Sequence, residues 1–343
     1  FFERAGTIVE SSSYHNTYFI EASVLKEHFN SVFSLVWECI NTANFPAGEF
    51  KNLKNITKYQ VQELYEDPFH IAYKNLRKAL FSCHPYRFSI LGEVDEIEKI
   101  SLAEVKNFYR KIFKRNNIII SVVGDISHDK FLEILEHNIK KYRVPRGNVV
   151  VENNAPAIKK SKTIIDKKKG ANLTALIIGF LTCDTFSEDK FALSFIDNFL
   201  GGLSGALFKK VREEHGLAYE ISSFSNFEID TGAFYIYSRI DKKEERKVIK
   251  LIEEVLEQIK SKGLSEKELE QFKSEITGTV LRQVQRNIAR AKDYGLYTLY
   301  NLGLDYTQKY LKKIEELTNQ QIKSVASKYL NFDRAIISIV YPE

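Results

Sequence analysis

Arg212 and Tyr219 stand seven positions apart on either side of a helix-to-strand corner. Arginine presents a planar fork of N–H donors and tyrosine a hydroxyl on a rigid ring, a combination that can hold carbonyl groups. The run leading to them is apolar and helical through Phe199-Leu200, then breaks at Gly201-Gly202-Leu203-Ser204-Gly205. A short second helix follows, with Leu207, Phe208 and Val211 spaced for one face. Gly216 falls where a helix C-cap favours a residue free to take positive φ. From Tyr219 the texture is that of a strand, and after Asp230-Thr231-Gly232 a second strand begins. On these residues alone, a tight corner with Arg212 on a solvated face is the favoured reading, since Gly-Gly breaks are common.

Metal chemistry has less to work with. A catalytic zinc needs three protein ligands and an open position for water. Neither H-x-x-E-H nor H-E-x-x-H occurs, and the nearest imitation, Glu133-Ile134-Leu135-Glu136-His137, lacks the first histidine and reads as helix surface. Cys83 and His84 are adjacent without an evident partner and read as structural, while His15, His28, His70, His128 and His215 show no ligand spacing. Cys39, Cys83 and Cys183 form neither a disulfide framework nor a cysteine zinc site, which fits a reducing, cytoplasmic setting.

The elements that must position these residues come from a chain of 343 residues, 44% hydrophobic with 24 Phe and 18 Tyr, enough for two folded domains. A net charge of +5, spread over 50 basic and 45 acidic residues without a dense basic block, gives no footprint for nucleic acid. No apolar run reaches the length of a membrane helix, and no signal peptide opens the sequence. Strand alternation marks residues 1–25, and amphipathic helices follow from Lys26 to Ala43, from Pro46 to about Glu66, and after Asp67-Pro68. Ser101 and Glu104 make a capping box for the next helix. Asn117 to Gly124 reads as a buried strand, Ser127 to Tyr142 as a helix, and residues 143–160 as an interdomain linker. Beyond it come strands at 161–167 and 172–182, the glycine-broken helix, two strands, five helices and a last strand from Ala335 to Tyr341.

The two halves repeat. Ser101-Leu-Ala-Glu-Val-Lys and Asn117-Ile-Ile-Ile-Ser-Val-Val lie on Thr318-Asn-Gln-Gln-Ile-Lys and Arg334-Ala-Ile-Ile-Ser-Ile-Val at one shift of 217 positions, without a gap. The same shift sets Thr17-Tyr18-Phe19 on Phe234-Tyr235-Ile236. We therefore expect two copies of one α/β unit, residues 1–148 and 161–343. The second copy starts near residue 161, so the first should start ahead of Phe1, and its opening strands and helix are expected to be missing. A half without them would leave a sheet edge and apolar faces uncovered. Methionine is absent and the sequence opens Phe1-Phe2, which suggests either a piece of a longer chain or a sequence that has lost its methionines.

The run from Gly201 to Tyr219 resembles the glycine-rich loop and following "R-E-x-x-G-L-A-Y" of pitrilysin/insulinase-type metallopeptidases, in the branch near mitochondrial processing peptidase. It departs from that pattern in having Gly-Gly-Leu-Ser-Gly where a third glycine and a later arginine are usual. The resemblance implies an α+β fold of two α/β-roll halves, each a mostly antiparallel sheet packed with helices, facing across a chamber. It implies that Arg212 and Tyr219, with the loop residues Gly201, Gly202, Ser204 and Gly205, bind the backbone of an extended peptide opposite a zinc ion. Glu63, in Gln62-Glu63-Leu64-Tyr65-Glu66-Asp67-Pro68, sits where the family's metal-binding glutamate falls. The family's H-x-x-E-H helix would then lie ahead of Phe1, in agreement with the repeat, and Zn2+ is expected only if those histidines are present. Two departures weigh against activity: Ile56 where a second acidic residue is usual, and Glu10 where an asparagine is usual. Three functions follow: a zinc endopeptidase acting on extended or unfolded peptides, a non-catalytic subunit lending Arg212 and Tyr219 to a zinc-bearing homologue, or a structural scaffold. A homodimer, or a heterodimer with a homologous subunit, is the expected assembly, with no nucleic-acid or membrane partner.

Overall fold

The computed structural model describes residues 2–141, 145, 156, 158 and 160–343. The linker reading of residues 143–160 therefore lies almost wholly outside the described residues. In chain order come β1 (Val9–Ser13), β2 (Tyr18–Ala22), α1 (Phe29–Asn41), α2 (Ala47–Leu64), α3 (Pro68–Leu80), α4 (Val94–Lys99), α5 (Leu102–Ile112) and α6 (His128–Lys141). Next are β3 (Lys162–Lys168), β4 (Thr174–Thr182), α7 (Asp189–Leu200), a π-helical turn (Phe208–Glu213), β5 (Ala218–Phe227) and β6 (Gly232–Ile240). The chain ends with α8 (Glu245–Ser261), α9 (Glu266–Gln283), α10 (Asn287–Leu299), α11 (Tyr306–Glu315), α12 (Asn319–Tyr329) and β7 (Ile336–Pro342). The class is α+β with mostly antiparallel strands, as expected.

Two compact units emerge, and neither follows the chain order. One holds residues 1–59, 93–152 and 280–307; the other holds 60–92, 153–279 and 308–343. The shift of 217 positions sets α5 on α12 and α3 on α10. Each unit thus contains, of this helix pair, the member from the opposite end of the sequence: α10 in the first, α3 in the second.

The second unit is built on a five-stranded sheet in the order β3-β7-β4-β6-β5, antiparallel except for the β3–β7 pair. Its central strands read Thr-Ala-Leu-Ile-Ile-Gly-Phe-Leu-Thr and Gly-Ala-Phe-Tyr-Ile-Tyr-Ser-Arg-Ile, apolar on both faces because both are covered. Ala72, Leu76 and Leu80 of α3 pack with Ala175, Ile177, Ala233, Tyr235, Ile336 and Val340 on one face. Apolar stripes on α7, α8 and α12 bury the rest of the core, with Leu193, Phe195, Ile252, Leu256 and Ile322 fully enclosed. α3 begins as its Asp67-Pro68 start requires: Asp67 caps the helix by accepting from the Phe69 N–H at 2.9 Å, and Pro68 fills a first-turn position that needs no N–H.

In the first unit, β1 and β2 form an antiparallel hairpin closed by the Tyr14 N–H to Thr17 carbonyl bond. α1 stacks Phe29, Phe33 and Trp37 along one face, and Phe131 of α6 meets Phe29 and Phe33 edge-on. The Ser101–Glu104 capping box opens α5 as expected. The strand expected from Asn117 to Gly124 is absent: these residues join no ladder among the described residues. Their repeat counterpart β7 is a strand because β3 and β4 hydrogen-bond its two sides; apolar alternation without a ladder partner does not make one. Ile8, Tyr18, Ile20 and Ile119 remain exposed in this unit. No helix among the described residues is long and apolar enough to cross a membrane.

Leu76 is wholly buried between α3 and the sheet. Leu76→Ala should lower stability by about 2–5 kcal/mol in urea or guanidinium titrations, the usual cost of a cavity left by a buried leucine. A loss below about 1 kcal/mol would mean that the segment 60–92 is not part of this core.

Candidate functional site

The glycine turn and the Arg212–Tyr219 corner meet at β5, an outer strand of the sheet. α7 ends at Leu200, and the Gly201 N–H still donates to the Asp197 carbonyl at 2.8 Å. Gly202 takes φ 72°, a conformation that side chains disfavour, and its N–H donates to Ser222 Oγ at 3.2 Å. Gly205 is fixed by space: a Cβ there would lie 2.1 Å from the Gly201 carbonyl oxygen and 2.5 Å from that of Leu200. Ser204 is exposed in the turn between them.

A carboxylate ties this turn to the strand. Ser223 Oγ donates to Asp197 Oδ1 at 2.7 Å and Ser225 Oγ to Oδ2 at 2.8 Å. Burial pushes the Asp197 carboxyl above its ordinary value even though the two hydroxyls oppose the shift. Motif reading missed this clamp. Its trace in the sequence is the alternation Ser223-x-Ser225, two hydroxyls on one face of a strand.

From Gly205 a short helix runs to the π-helical turn, where the Glu214 N–H reaches back five residues to the Lys209 carbonyl at 2.9 Å. Leu207 and Val211 are fully buried and anchor it. Gly216, at φ 64°, closes the helix as expected, its N–H donating to the Arg212 carbonyl at 2.9 Å. Arg212 is exposed; its guanidinium donates to the Tyr219 carbonyl and lies over two rings, 5.1 Å from the centroid of Phe208 and 5.8 Å from that of Tyr219.

Tyr219 occupies an irregularity of its own. Ala218 pairs with Ile240 and Glu220 with Arg239, so Tyr219 is the extra residue of a β-bulge. Its side chain is 70% exposed. The following residue is held firmly. The Glu220 carbonyl accepts from Ser238 Oγ at 2.8 Å, and its carboxylate pairs with Arg239 Nε at 3.0 Å. Arg239 in turn reaches the capping carboxylate Asp67 at 2.7 Å. The structure thus places Arg212 and Tyr219 at the start of β5 and the glycine turn farther along the same strand, at Ser222.

Glu63 lies elsewhere, exposed near the end of α2. No group of three His, Cys, Asp or Glu side chains that could hold a metal ion occurs among the described residues. One exposed carboxylate does not meet the three-ligand requirement of a catalytic zinc, so the described residues do not fit that ion. Glu133, Glu136 and His137 lie exposed on α6, as expected. His84 corrects the sequence reading, for it has partners. It is fully buried, its Nδ1 accepts from the Tyr86 N–H at 3.2 Å, and its Nε2 lies 3.2 Å from Asp230 Oδ2. Asp230 stands 146 positions away in the β5–β6 turn, a distance at which sequence spacing carries no signal.

Two outcomes test this geometry. Gly205→Ala forces a methyl group into backbone oxygens and should cost about 1–3 kcal/mol or more in denaturant titrations, whereas Ser204→Ala should be near neutral. A raised carboxyl pKa binds protons more tightly in the folded state, so the Asp197 contribution to stability is greatest in acid and falls as pH rises from about 4 through the raised value. Asp197→Asn should flatten that part of the melting-temperature profile, and an unchanged slope would show that Asp197 is not its source.

Comparisons with known proteins bear on the family and the fold. A family model described as the peptidase M16 inactive domain matches residues 99–276. An uncharacterized zinc protease of Bacillus subtilis, YmxG, is 26% identical over 98% of this chain and 82% of its own length. A Helicobacter pylori relative, 22% identical over 94% of this chain and 74% of its own, is named a non-peptidase homolog. The crystal structure of a peptidase M16 inactive domain from Pseudomonas fluorescens superposes with a TM-score of 0.90 at 26% identity, over 100% of this chain and 82% of that one. With the matched model spanning more than half of its length, this chain belongs to the peptidase M16 family, the pitrilysin-like family that its glycine turn and Arg212–Tyr219 corner resemble.

Proposed function

We propose that this chain holds extended peptides, with the Arg212–Tyr219 corner and the turn Gly201, Gly202, Ser204 and Gly205 gripping the peptide main chain beside β5. One observation carries the reading: two exposed side chains, each placed by a backbone irregularity, converge at the start of an outer strand. π-turns and β-bulges recur next to functional sites because they re-aim single side chains. The two outer strands also differ in composition. β3 carries Lys162, Lys167 and Lys168, charges that discourage pairing, whereas β5 reads Ala-Tyr-Glu-Ile-Ser-Ser-Phe-Ser-Asn-Phe, without lysine or proline. An extended peptide can add to such an edge, its alternate carbonyls paired with the strand and further carbonyls taken by side-chain donors. In this reading the chain consists of two homologous copies, 1–148 and 161–343, and pairs with a second copy or a homologous subunit.

Within the family, two readings of activity remain. Ile56 and Glu10, standing where the resembled family has an acidic residue and an asparagine, favour a non-catalytic, peptide-holding subunit. The Glu63–Pro68 segment favours a zinc metalloendopeptidase in which Glu63 is a metal ligand. Residues 1–343 alone should bind no stoichiometric zinc by elemental analysis and cleave no unfolded peptide. Zinc bound at Glu63 with nitrogen ligands from this same chain would contradict that expectation. Zinc and peptidase assays on the full gene product separate the two readings.

The peptide-holding reading is tested by substitution at Arg212. Arg212→Ala should weaken the binding of an unstructured peptide by roughly 1.5–3 kcal/mol, the range for hydrogen bonds to a charged group. The fold should lose less than about 1 kcal/mol, as expected for an exposed cation–ring contact. Arg212→Lys should recover only part of the affinity, since a point charge does not reproduce the planar fork. Unchanged affinity in Arg212→Ala would remove the role.

A further inference from the structure

The best-defined contact of Arg212 apart from the Tyr219 carbonyl is with Phe208. We infer, on the basis of the peptide-holding reading above, that Phe208 is a positioning residue for Arg212: its ring fixes the plane of the guanidinium so that the in-plane donors face the ligand. Neither side chain is placed by core packing alone. The neighbouring Leu207 and Val211 are fully buried and anchor the short helix, while Phe208 is only half-buried and Arg212 exposed. The two are four positions apart on one helical face, where side chains meet.

A free arginine samples many rotamers, and ordering such a side chain on binding opposes affinity. A single hydrogen bond, from Nη1 to the Tyr219 carbonyl, fixes one point of the fork and leaves the plane free to turn. A second contact is needed to set it. Phe208, 5.1 Å from the guanidinium carbon, supplies that contact from the helix side, and the Tyr219 ring lies somewhat farther off at 5.8 Å. A guanidinium whose face is turned to a ring is approached by ligands through its edge, where the N–H groups lie and where a peptide carbonyl can accept; the position of the Arg212 guanidinium over the Phe208 ring is what the inference takes from the structure. In this inference Phe208 acts through Arg212 and not by a contact of its own with the ligand.

Binding of a fluorescein-labelled unstructured peptide, read by anisotropy, tests this with a double-mutant cycle. Phe208→Ala should weaken binding about three- to tenfold, the effect of freeing one rotamer-rich side chain. Phe208→Leu, which keeps much of the bulk without the ring, should do the same and stands in if the alanine variant does not fold. Phe208→Tyr keeps the ring face and should stay within about twofold of native. In an Arg212→Ala background, or Arg212→Lys if binding is otherwise too weak, Phe208→Ala should have little further effect. Equal weakening in both backgrounds would show that Phe208 acts through general stability and would overturn the inference. Nitrogen-15 relaxation of the Arg212 Nε–H group, measured without peptide, reads the coupling independently: order in the native protein should be lost in Phe208→Ala. Unchanged order would overturn the inference. If the native protein binds no peptide while Arg212 order still depends on Phe208, the peptide-holding reading fails and the coupling stands.

Discussion

Among the described residues β5 is an outer strand, with one side of its backbone lacking a ladder partner, and the second unit is arranged around how it meets that constraint. The strand is not left to fray. At its start, side chains hold the bulge from three directions: Arg212 on the Tyr219 carbonyl, Ser238 on the Glu220 carbonyl, and Arg239 on the Glu220 carboxylate. Further along, Ser222 receives the Gly202 N–H, and Ser223 and Ser225 grip Asp197 at the end of α7. Arg239 carries the restraint on to the Asp67 cap of α3, so the strand end, the opposite sheet face and the helix on it are fixed by one connected set of polar contacts. Such networks specify a geometry because each member left unpaired at a half-buried position would be costly.

Much of this architecture was legible in the sequence, for physical reasons that can be named. Helices with a strong apolar stripe declare themselves by spacing, and the capping pairs Ser101–Glu104 and Thr318–Gln321 mark their starts. The shift of 217 positions was visible in residue types; the structure matches its helices α5 and α12, while its strand is formed only as β7. The strand expected at 117–124 was not formed, because strand structure depends on a neighbour and apolar alternation only on the residues themselves. That α3 and α10 would each pack in a unit with the opposite end of the chain was likewise invisible, since an amphipathic helix does not say which sheet it covers.

The site was legible in its residue types and not in its geometry. Arg212, Tyr219 and the glycines stand out by composition, but the π-turn and the bulge that bring them together insert single residues without a local signature. The Asp197 clamp and the His84–Asp230 pair join side chains across 26 to 146 positions, where nothing in the sequence links them. The metal question has the opposite character. Glu63 is recognisable from its local segment, yet a zinc site exists only when three ligands converge, and no such group occurs among the described residues.

Central to this account is that peptide is held at the β5 corner rather than elsewhere on the chain. Amide hydrogen exchange measured with and without an unstructured peptide addresses it directly, because strand addition slows exchange where new backbone pairing forms. Slower exchange concentrated in residues 201–205 and 218–227 is the predicted result. Protection confined to other segments, or none at peptide concentrations that saturate binding, would contradict it.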